Sequence, residues 1–324
     1  PLTGWWGEAT SGGGFPFRLK GSGYDGIIVT GRAKSPVYLF LNDGEASLRD
    51  ASHLWGKSAY ETQQVIREEL GIKGLGMAVV GEAGERMVRT AGIQNDAGRM
   101  AGRCGLGALM GSKNLKAVVA SGNLRPKAAH PEQMTALARE VHDTIRSNFL
   151  SIAYREYGTL LYADMAMTLA DAPARYFTKS VFSVEKVTGQ ALRQRYVVEN
   201  YACAGCPVGC GRVVKGFADV PVVDGPEYET TMAFGPLCMN FDLDSIVRAN
   251  HICNTHGIDT IATGVAIAYA MYLFEQGVIT KEKAGMEIRW GDGETVVRLT
   301  EMIAKKEGIG ALLSEGTLAM ARAF

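Results

Sequence analysis

The sequence lacks three features, each of which would define a class of protein. No apolar run reaches the roughly 18 residues of a membrane-spanning helix, although 47% of the 324 residues are hydrophobic. Charge of neither sign is in excess, because Lys+Arg and Asp+Glu both number 34. This balance gives no indication of nucleic acid or an anionic membrane as partner. Six cysteines are too few for a disulfide scaffold in a chain of this length. We therefore expect a cytoplasmic protein.

A starting methionine and a signal-peptide pattern are also absent. The chain opens with PLTGWWGEATSGGG and closes with GTLAMARAF, which has a helical pattern. We therefore expect a piece of a longer protein, truncated at both ends. The length is enough for one large domain or two to three smaller ones.

The first third of the sequence has the pattern of β-structure. Apolar runs at 27–30 and 37–41 are separated by Ser-Pro and followed by Asn-Asp-Gly, which predicts strand–turn–strand. A second strand pair is predicted around Gly-Glu-Ala-Gly-Glu at 81–85. A last strand is predicted at 115–122, so we expect a β-rich domain over 1–122.

Apolar residues beyond residue 122 follow the 3.6-residue period of helices instead. Asp242 is a candidate N-cap and Gly257 a candidate stop signal for one of them. We therefore predict an α+β fold, with a β-rich N-terminal domain at 1–122 followed by mostly α-helical domains at 123–324. The predicted helices, one of which lies in the first third, are 58–70, 131–146, 242–257, 264–277 and 294–310.

The clearest chemical motif is CAGCPVGC, in which Cys203, Cys206 and Cys210 have C-x2-C-x3-C spacing. Cluster iron and zinc both bind thiolate sulfur, and short spacings let one loop point several sulfurs inward. Radical enzymes that use S-adenosylmethionine have the reverse order, C-x3-C-x2-C, which disfavours that class. The spacing favours an iron–sulfur cluster. A zinc site completed by Cys238 or Cys253 and three thiols packed in the core are the alternatives.

A second motif is the glycine-rich, basic stretch AGRMAGRCGLGALMGSKNLKAVV at 97–119. Its free backbone N–H groups and its cations, Arg99 among them, suit a phosphate. The stretch is not a P-loop, because GALMGSK lacks the four-residue gap between glycines. The alternative is a turn between strands with solvated Lys and Arg side chains.

Two shorter motifs carry ionisable side chains. Glu227 and Glu229 in GPEYET would lie on one face of an extended segment. A carboxylate beside an apolar run is suited to acid–base chemistry, and two solvated surface acids are the alternative. His251 and His256 are candidate metal ligands, although histidines near a helix end are more often capping or surface residues.

Taken together, these motifs resemble the tungsten-containing aldehyde:ferredoxin oxidoreductases. The resemblance implies a β-rich N-terminal domain followed by two helical domains. These domains enclose tungsten, or molybdenum, bound by the dithiolenes of two pyranopterins. The matching stretches, in order from residue 1 to about 320, are PLTG, GSGYDGIIVTGRA, AGRCGLGALMGSKNLKAVV, CAGCPVGCGR, GPEYET and NTHGIDTIATG.

The resemblance also implies roles for individual residues. Cys203, Cys206 and Cys210 hold three corners of a [4Fe-4S] cluster whose fourth cysteine lies downstream of this chain. Glu229, the second acid of EYE, is the acid–base candidate near the metal. The remaining implied residues bind the pterin rings, the pterin phosphates or the Mg²⁺ that bridges the phosphates. They are Thr10, Gly12, Arg99, Met100 through its carbonyl, Gly102, Asn254, Gly257 and Asp259.

The implied reaction is the two-electron oxidation of a small aldehyde to a carboxylic acid, with electrons passing through the cluster to ferredoxin or a related electron-transfer subunit. One alternative is a family member that acts on an aromatic acyl-CoA thioester. Another is a non-catalytic fragment with an incomplete zinc or iron–sulfur site. Some members bind a subunit-bridging iron through E-x-x-H, which Arg248 to His251 do not match, so no such iron is predicted. The sequence leaves open whether the protein forms a homo-oligomer.

Overall fold

The structure is a computed structural model that describes residues 4–96, 98–218 and 220–324. Strands and helices alternate in the part that precedes residue 122. They are α1 (Phe15–Gly21), β1 (Val37–Asn42), β2 (Glu45–Asp50), α2 (Ala59–Leu70), β3 (Gly76–Val79), α3 (Glu82–Glu85), β4 (Ile93–Asn95), β5 (Arg99–Ala101), α4 (Leu106–Ser112) and β6 (Leu115–Ser121).

One six-stranded sheet organises this part, in the order β2-β1-β6-β3-β4-β5. β1 and β6 are parallel, and the other neighbouring strands are antiparallel. All seven residues of β6 are buried, because this strand lies inside the sheet with both faces covered. Tyr38 and Val119 pack with Ile66 of α2 in one core cluster. Leu41 and Val118 belong to a second cluster.

The predicted strand at 27–30 is wrong. These residues form no strand, and the side chain of Ile28 is 92% exposed. The partner of β1 is instead β2, which follows after a two-residue turn at Asp43 and Gly44. Both turn residues have positive φ, as expected for an Asp-Gly hairpin. The Asn-Asp-Gly signal therefore marks the turn after β1.

Local capping explains why the helix predicted at 58–70 is confirmed as α2. Ser58 and Glu61 form a reciprocal capping box at its start, and Gly71 ends it with φ +63°.

The strand pair around 81–85 is confirmed as antiparallel β3 and β4. The segment itself is the short helix α3, whose Ala83 is buried, and not a simple turn.

Helices form most of the chain after residue 122, which confirms the α+β class. The elements are α5 (Pro131–Ser147), α6 (Phe149–Tyr157), α7 (Ala163–Thr168), α8 (Gly189–Arg195), β7 (Val197–Tyr201), β8 (Gly211–Phe217), β9 (Val220–Asp224), α9 (Tyr228–Phe234), α10 (Leu243–His256), α11 (Thr260–Glu275), α12 (Lys281–Ala284), α13 (Gly293–Lys305), α14 (Gly310–Leu313) and α15 (Thr317–Ala323). Short 3-10 helices lie at Ser52–Leu54, Arg103–Gly105, Gly158–Tyr162, Val184–Lys186 and Pro236–Cys238.

Two consecutive core helices, α10 and α11, are fixed at their ends by local signals. The Asp242 side chain accepts backbone N–H bonds at the start of α10, and Gly257 ends that helix with φ +74°. Asp259 then caps α11, whose many buried residues agree with a sequence that is apolar nearly all round. The join between the two helices, 254–260, is therefore held in one conformation.

The helix predicted at 131–146 is confirmed as α5, but its apolar face is not buried. Met134 and Leu137 are 65% and 61% exposed, and no residue of α5 is buried. In the described part of the chain, no helix is both long enough and apolar enough to cross a membrane.

A small antiparallel sheet, β7-β8-β9, interrupts the helical part and was not predicted. The cysteine loop connects β7 to β8, so it begins and ends on paired strands. Tyr201, the last residue of β7, pairs with Gly211, the first of β8. The loop is therefore closed at its base by the sheet.

Candidate functional site

A cavity of about 350 Å³ lies where the segments 10–12, 98–103 and 224–230 meet the join between α10 and α11. Seven of the eight residues predicted to bind the pterins or their Mg²⁺ line this cavity, and Gly257 is the exception. The complete lining is Thr10, Gly12, Gly98, Arg99, Met100, Gly102, Arg103, Asp224, Gly225, Glu227, Thr230, Asn250, Asn254, Asp259, Thr260 and Ile261.

Arg99 lines this cavity and carries unpaired hydrogen-bond donors. Its side chain is 16% exposed, and its guanidinium stacks 4.6 Å from the ring centroid of Tyr201. Nη1 lies 3.6 Å from Oε1 of Glu227. Nε and Nη2 are buried and have no hydrogen-bond partner among the described residues. Because each buried unpaired donor costs about 1–3 kcal/mol, Arg99 is suited to an anionic ligand.

Asp224 is a buried carboxylate of this cavity that the sequence analysis did not select. It ends β9 and is 8% exposed. The Tyr201 hydroxyl donates to its Oδ2 at 2.6 Å, and the amides of Asn250 and Asn254 donate to its main-chain oxygen at 2.6 and 2.9 Å. Burial raises the pKa of Asp224 to about 6. Asp224 therefore links the strand before the cysteine loop to α10.

Replacing Asp224 by Asn is expected to stabilise the cofactor-free chain more at alkaline than at acid pH. The folded pKa lies above the ordinary 3.8, so the folded state holds the proton more tightly. Ionisation therefore costs stability as pH rises, from near zero below about pH 4 to about 3 kcal/mol above about pH 7. Urea unfolding of both proteins at about pH 5 and about pH 8 measures this cost. If the two proteins differ in free energy of unfolding by the same amount at both pH values, the raised pKa of Asp224 is contradicted.

Asp259 fixes the other side of the cavity. Its carboxylate caps α11 by accepting the N–H of Ile261 at 3.0 Å, and Nη1 of Arg103 donates to it at 3.1 Å. Burial raises the pKa of Asp259, while the nearby Arg103 opposes that shift. Asp259 therefore joins the glycine-rich stretch to the start of α11.

Asn254 lines the cavity, whereas Gly257 shapes the turn behind it. The main-chain oxygen of Asn254 accepts a hydrogen bond from the Gln94 amide at 3.1 Å. The main-chain oxygen of Gly257 accepts one from the N–H of Gly92 at 2.9 Å. Both bonds tie the α10–α11 join to the strand region of the first sheet.

The segment 10–12, called the first loop below, joins the cavity to the cysteine loop. A Cβ added at Gly12 would lie 2.6 Å from Sγ of Cys203, so only glycine leaves room there for the sulfur. Asn95 donates to the main-chain oxygen of Gly12 at 2.6 Å. Thr10 lies in the cavity wall near Met100 and Gly102 of the glycine-rich stretch. The first loop therefore contacts both parts of the candidate site.

The cysteine loop wraps tightly and keeps its thiols near the surface. Cys203 and Cys210 are half-buried, and Cys206 is exposed. The N–H of Cys206 donates to the Cys203 carbonyl at 3.0 Å, and Gly205 and Gly209 have φ of +75° and +70°. Burial raises the pKa of the Cys210 thiol, and Glu227 raises it further.

The loop fits an iron–sulfur cluster better than a packed core. Its thiols remain accessible, and arginine side chains donate to its carbonyls, including that of Cys210. Across the described residues no three His, Cys, Asp or Glu side chains are grouped as a ligand set. The three cysteines therefore supply the sulfur ligands that a cluster uses, although their side chains are not grouped as a ligand set in the described residues.

The two cysteines that a zinc interpretation requires are core residues. Cys238 and Cys253 are fully buried in the helical core. Burial raises the pKa of both thiols, so both are protonated at neutral pH. Sγ of Cys238 donates to the carbonyls of Ala233 and Gly264. Both cysteines therefore act as packing residues.

The two candidate histidines contact neighbouring side chains, an aromatic ring and a carboxylate. The His251 ring stacks with Tyr60, with centroids 6.2 Å apart. Nδ1 of His256 lies 3.7 Å from Glu82. Neither belongs to a metal-ligand group in the part of the chain that the structure describes.

Glu227 and Glu229 do not lie in an extended segment, so that prediction is wrong. Glu227 immediately precedes α9, and Glu229 is in its first turn. Glu227 lines the cavity, where it lies between Arg99 and Arg212 at 3.6 and 3.7 Å and accepts a hydrogen bond from Thr159. Glu229 is exposed and does not line the cavity.

Fold and site together define the class, an α+β protein in which a three-cysteine loop adjoins a cavity lined by arginine and carboxylate side chains. Two family models match nearly the whole chain. Residues 1–122 match the N-terminal domain of aldehyde ferredoxin oxidoreductase, and residues 136–324 match its domains 2 and 3. The chain belongs to the aldehyde ferredoxin oxidoreductase family.

Curated relatives agree with this assignment. The tungsten-containing aldehyde ferredoxin oxidoreductase of Pyrococcus furiosus is 40% identical over 328 residues, covering 100% of this chain and 54% of the relative. That of Thermococcus kodakarensis is 39% identical with the same coverage. An aliphatic sulfonate oxidoreductase, WOR-like subunit, of Pyrococcus furiosus is 34% identical, covering 92% and 50%. The chain spans about half the length of the curated relatives it matches.

A solved structure is similar in fold. It is the active site complex BamBC of benzoyl coenzyme A reductase in complex with 1,5-dienoyl-CoA. The superposition has a TM-score of 0.81 with 28% sequence identity and covers 97% of this chain and 50% of that one.

Proposed function

We propose that this chain is part of an enzyme that oxidises a small aldehyde to a carboxylic acid at tungsten, or molybdenum, held by two pyranopterins. The observation that supports this proposal most directly is at Arg99. This residue lines the cavity and places two buried, unpaired donors beside the cysteine loop. Membership of the family and the names of its tungsten-containing relatives support the same conclusion.

The residues of the cavity fit the polar parts of such a cofactor. Arg99, with the backbone of Met100 and Gly102 and the loop at Thr10 and Gly12, would hold the phosphates and their Mg²⁺. Asn254, Gly257 and Asp259 would orient one pterin ring, with Gly257 acting through the shape of the turn. When bound, the metal cofactor supplies the two-electron chemistry.

The cysteine loop would bind the electron-transfer group. We assign Cys203, Cys206 and Cys210 to a [4Fe-4S] cluster, because thiolates are its usual ligands and all three thiols lie at or near the surface. Such a position suits electron transfer to ferredoxin or a related subunit. A cytoplasmic location and a division of the chain at 1–122 and 123–324 belong to the same proposal.

Proton transfer is assigned to Glu229. Glu227 has two guanidinium groups within 4 Å, which compensate its charge. Glu229 has no hydrogen bond or ion pair with any described residue, so no partner holds its carboxylate. It directly precedes Thr230, which lines the cavity, on a helix whose other residues are largely buried.

A second candidate reaction is the reduction of an aromatic acyl-CoA thioester. The similarity of fold to a benzoyl coenzyme A reductase favours it. Both reactions would use the same cofactor residues, so the substrate distinguishes them.

Analysis of the full-length protein, purified without oxygen, tests the proposal. We expect about four iron atoms and four labile sulfides per cluster, together with pterin and tungsten or molybdenum. Replacing Arg99 by Ala removes the two unpaired donors and should lower pterin content while iron stays unchanged. Replacing the exposed Arg289 by Ala is the control. Stoichiometric zinc without sulfide, or full pterin occupancy in the Arg99 variant, contradicts the proposal.

A further inference from the structure

Arg212 is a buried cation beside the cysteine loop. It lies in β8, two residues after Cys210, and its side chain is 3% exposed. Nη2 donates to the Cys210 carbonyl at 3.1 Å, and Nη1 donates to the Tyr157 carbonyl. Nε is buried without a hydrogen-bond partner among the described residues. The neighbouring carboxylate, Glu227, lies 3.7 Å away and is 30% exposed. The positive charge of Arg212 is therefore only partly compensated.

The chain leaves a specific space for this guanidinium. Gly158 has φ +59°, and a Cβ at that position would overlap the guanidinium of Arg212. The next residue, Thr159, donates its hydroxyl to Glu227. One short turn therefore holds both charges in place, Arg212 toward the cysteine loop and Glu227 toward the cavity.

A second arginine, Arg155 of α6, also donates to the cysteine loop and provides a comparison. Arg155 donates from Nε to the Val208 carbonyl at 3.0 Å and from Nη2 to the Pro207 carbonyl at 2.6 Å. Its residue is exposed, so water and salt screen its charge. Arg212 acts where the local dielectric is low, so its charge has a much larger effect on nearby groups.

We propose that Arg212 raises the reduction potential of the cluster held by the cysteine loop and that Glu227 lowers it. Reduction adds one electron and hence one negative charge to the cluster. A buried cation stabilises that charge, and a nearby carboxylate destabilises it. The inference rests on the proposed function, because it requires the cluster. It assigns Arg212 and Glu227 as residues that set the driving force for electron transfer between the cavity and the protein surface.

The test is an EPR-monitored redox titration of the full-length holoenzyme. We expect Arg212→Gln to lower the cluster potential, because the cation is lost while a donor to the Cys210 carbonyl remains. Arg212→Lys should retain most of the original potential, because it keeps the charge. Glu227→Gln should move the potential in the opposite direction, upward. Arg155→Gln removes an exposed cation that holds the same loop and should shift the potential least.

The measured outcomes separate the two proposals. Iron and sulfide are determined first, and their absence from the unmodified enzyme contradicts the proposed function. An intact cluster whose potential is the same in the Gln and Lys variants of Arg212 overturns this inference alone. If Arg212→Gln does not assemble a cluster, Glu227→Gln decides. A rise in potential supports the inference, and no change or a fall overturns it.

Discussion

Replacing Glu229 by Gln is expected to lower aldehyde oxidation by the full-length enzyme by roughly 10²–10⁴-fold, or about 3–5 kcal/mol of barrier. The substitution keeps the shape of the side chain and removes its ability to exchange a proton. The prediction rests on the role proposed for Glu229, which has no ion pair with any described residue, whereas Glu227 is paired with two arginines. Steady-state rates with an aldehyde and an artificial electron acceptor measure the effect.

Cofactor content must stay constant for this comparison to be meaningful. Metal, pterin, iron and sulfide are therefore measured in the Glu229 variant and in a surface control, Glu287→Gln. Activity within a few-fold of the unmodified enzyme assigns Glu229 a structural role. The proton-transfer group would then be Glu227 or a residue outside this chain.

A second large effect is expected at a buried ion pair behind the first sheet. Lys116 of β6 is fully buried, and it donates to Glu85 and to the Lys57 carbonyl. Burial lowers the pKa of Lys116 and raises that of Glu85. Glu85→Gln leaves the cation without its counter-charge, which should destabilise the folded chain by about 3–5 kcal/mol. The midpoint and slope of urea unfolding measure this change.

Two further variants test whether charge is the cause. Adding Lys116→Met to Glu85→Gln removes the buried cation and should restore much of the lost stability. Asp25→Asn breaks the exposed pair with Lys20 and should leave the midpoint nearly unchanged. An unaltered midpoint in Glu85→Gln, or no recovery in the double variant, contradicts this account.

Elements fixed by local signals were predicted well, and those fixed by distant partners were not. The α2 and α10 helices have caps and glycine stops that can be read within a few residues. The strand β2 could not be read this way, because its residues are almost all exposed and show no alternation. The apolar run at 27–30 carried a β-strand signal but has no strand partner in the described structure.

The candidate site shows the same division. Cys203 and Arg99 were selected because each lies in a compact motif of the sequence. Asp224 and Arg212 were missed, although Arg212 is the last residue of the quoted CAGCPVGCGR and Asp224 immediately precedes GPEYET. Their importance depends on burial and on partners far along the chain, such as Tyr201 for Asp224 and Gly158 for Arg212. No spacing rule contains that information.

The place of β6 in the first sheet has a consequence for how this part of the chain is made. β6 is the last of the six strands in sequence, yet it lies in the middle of the sheet, between β1 and β3. During synthesis, the hairpin of β1 and β2 and the meander of β3 to β5 emerge first, with no strand to join them. Closing the gap requires a pairing between residues 37–42 and 115–121, a long loop closure that slows folding. A ribosome that stalls before residue 121 therefore leaves two unjoined β-ribbons with open edges, which are substrates for chaperones or for aggregation.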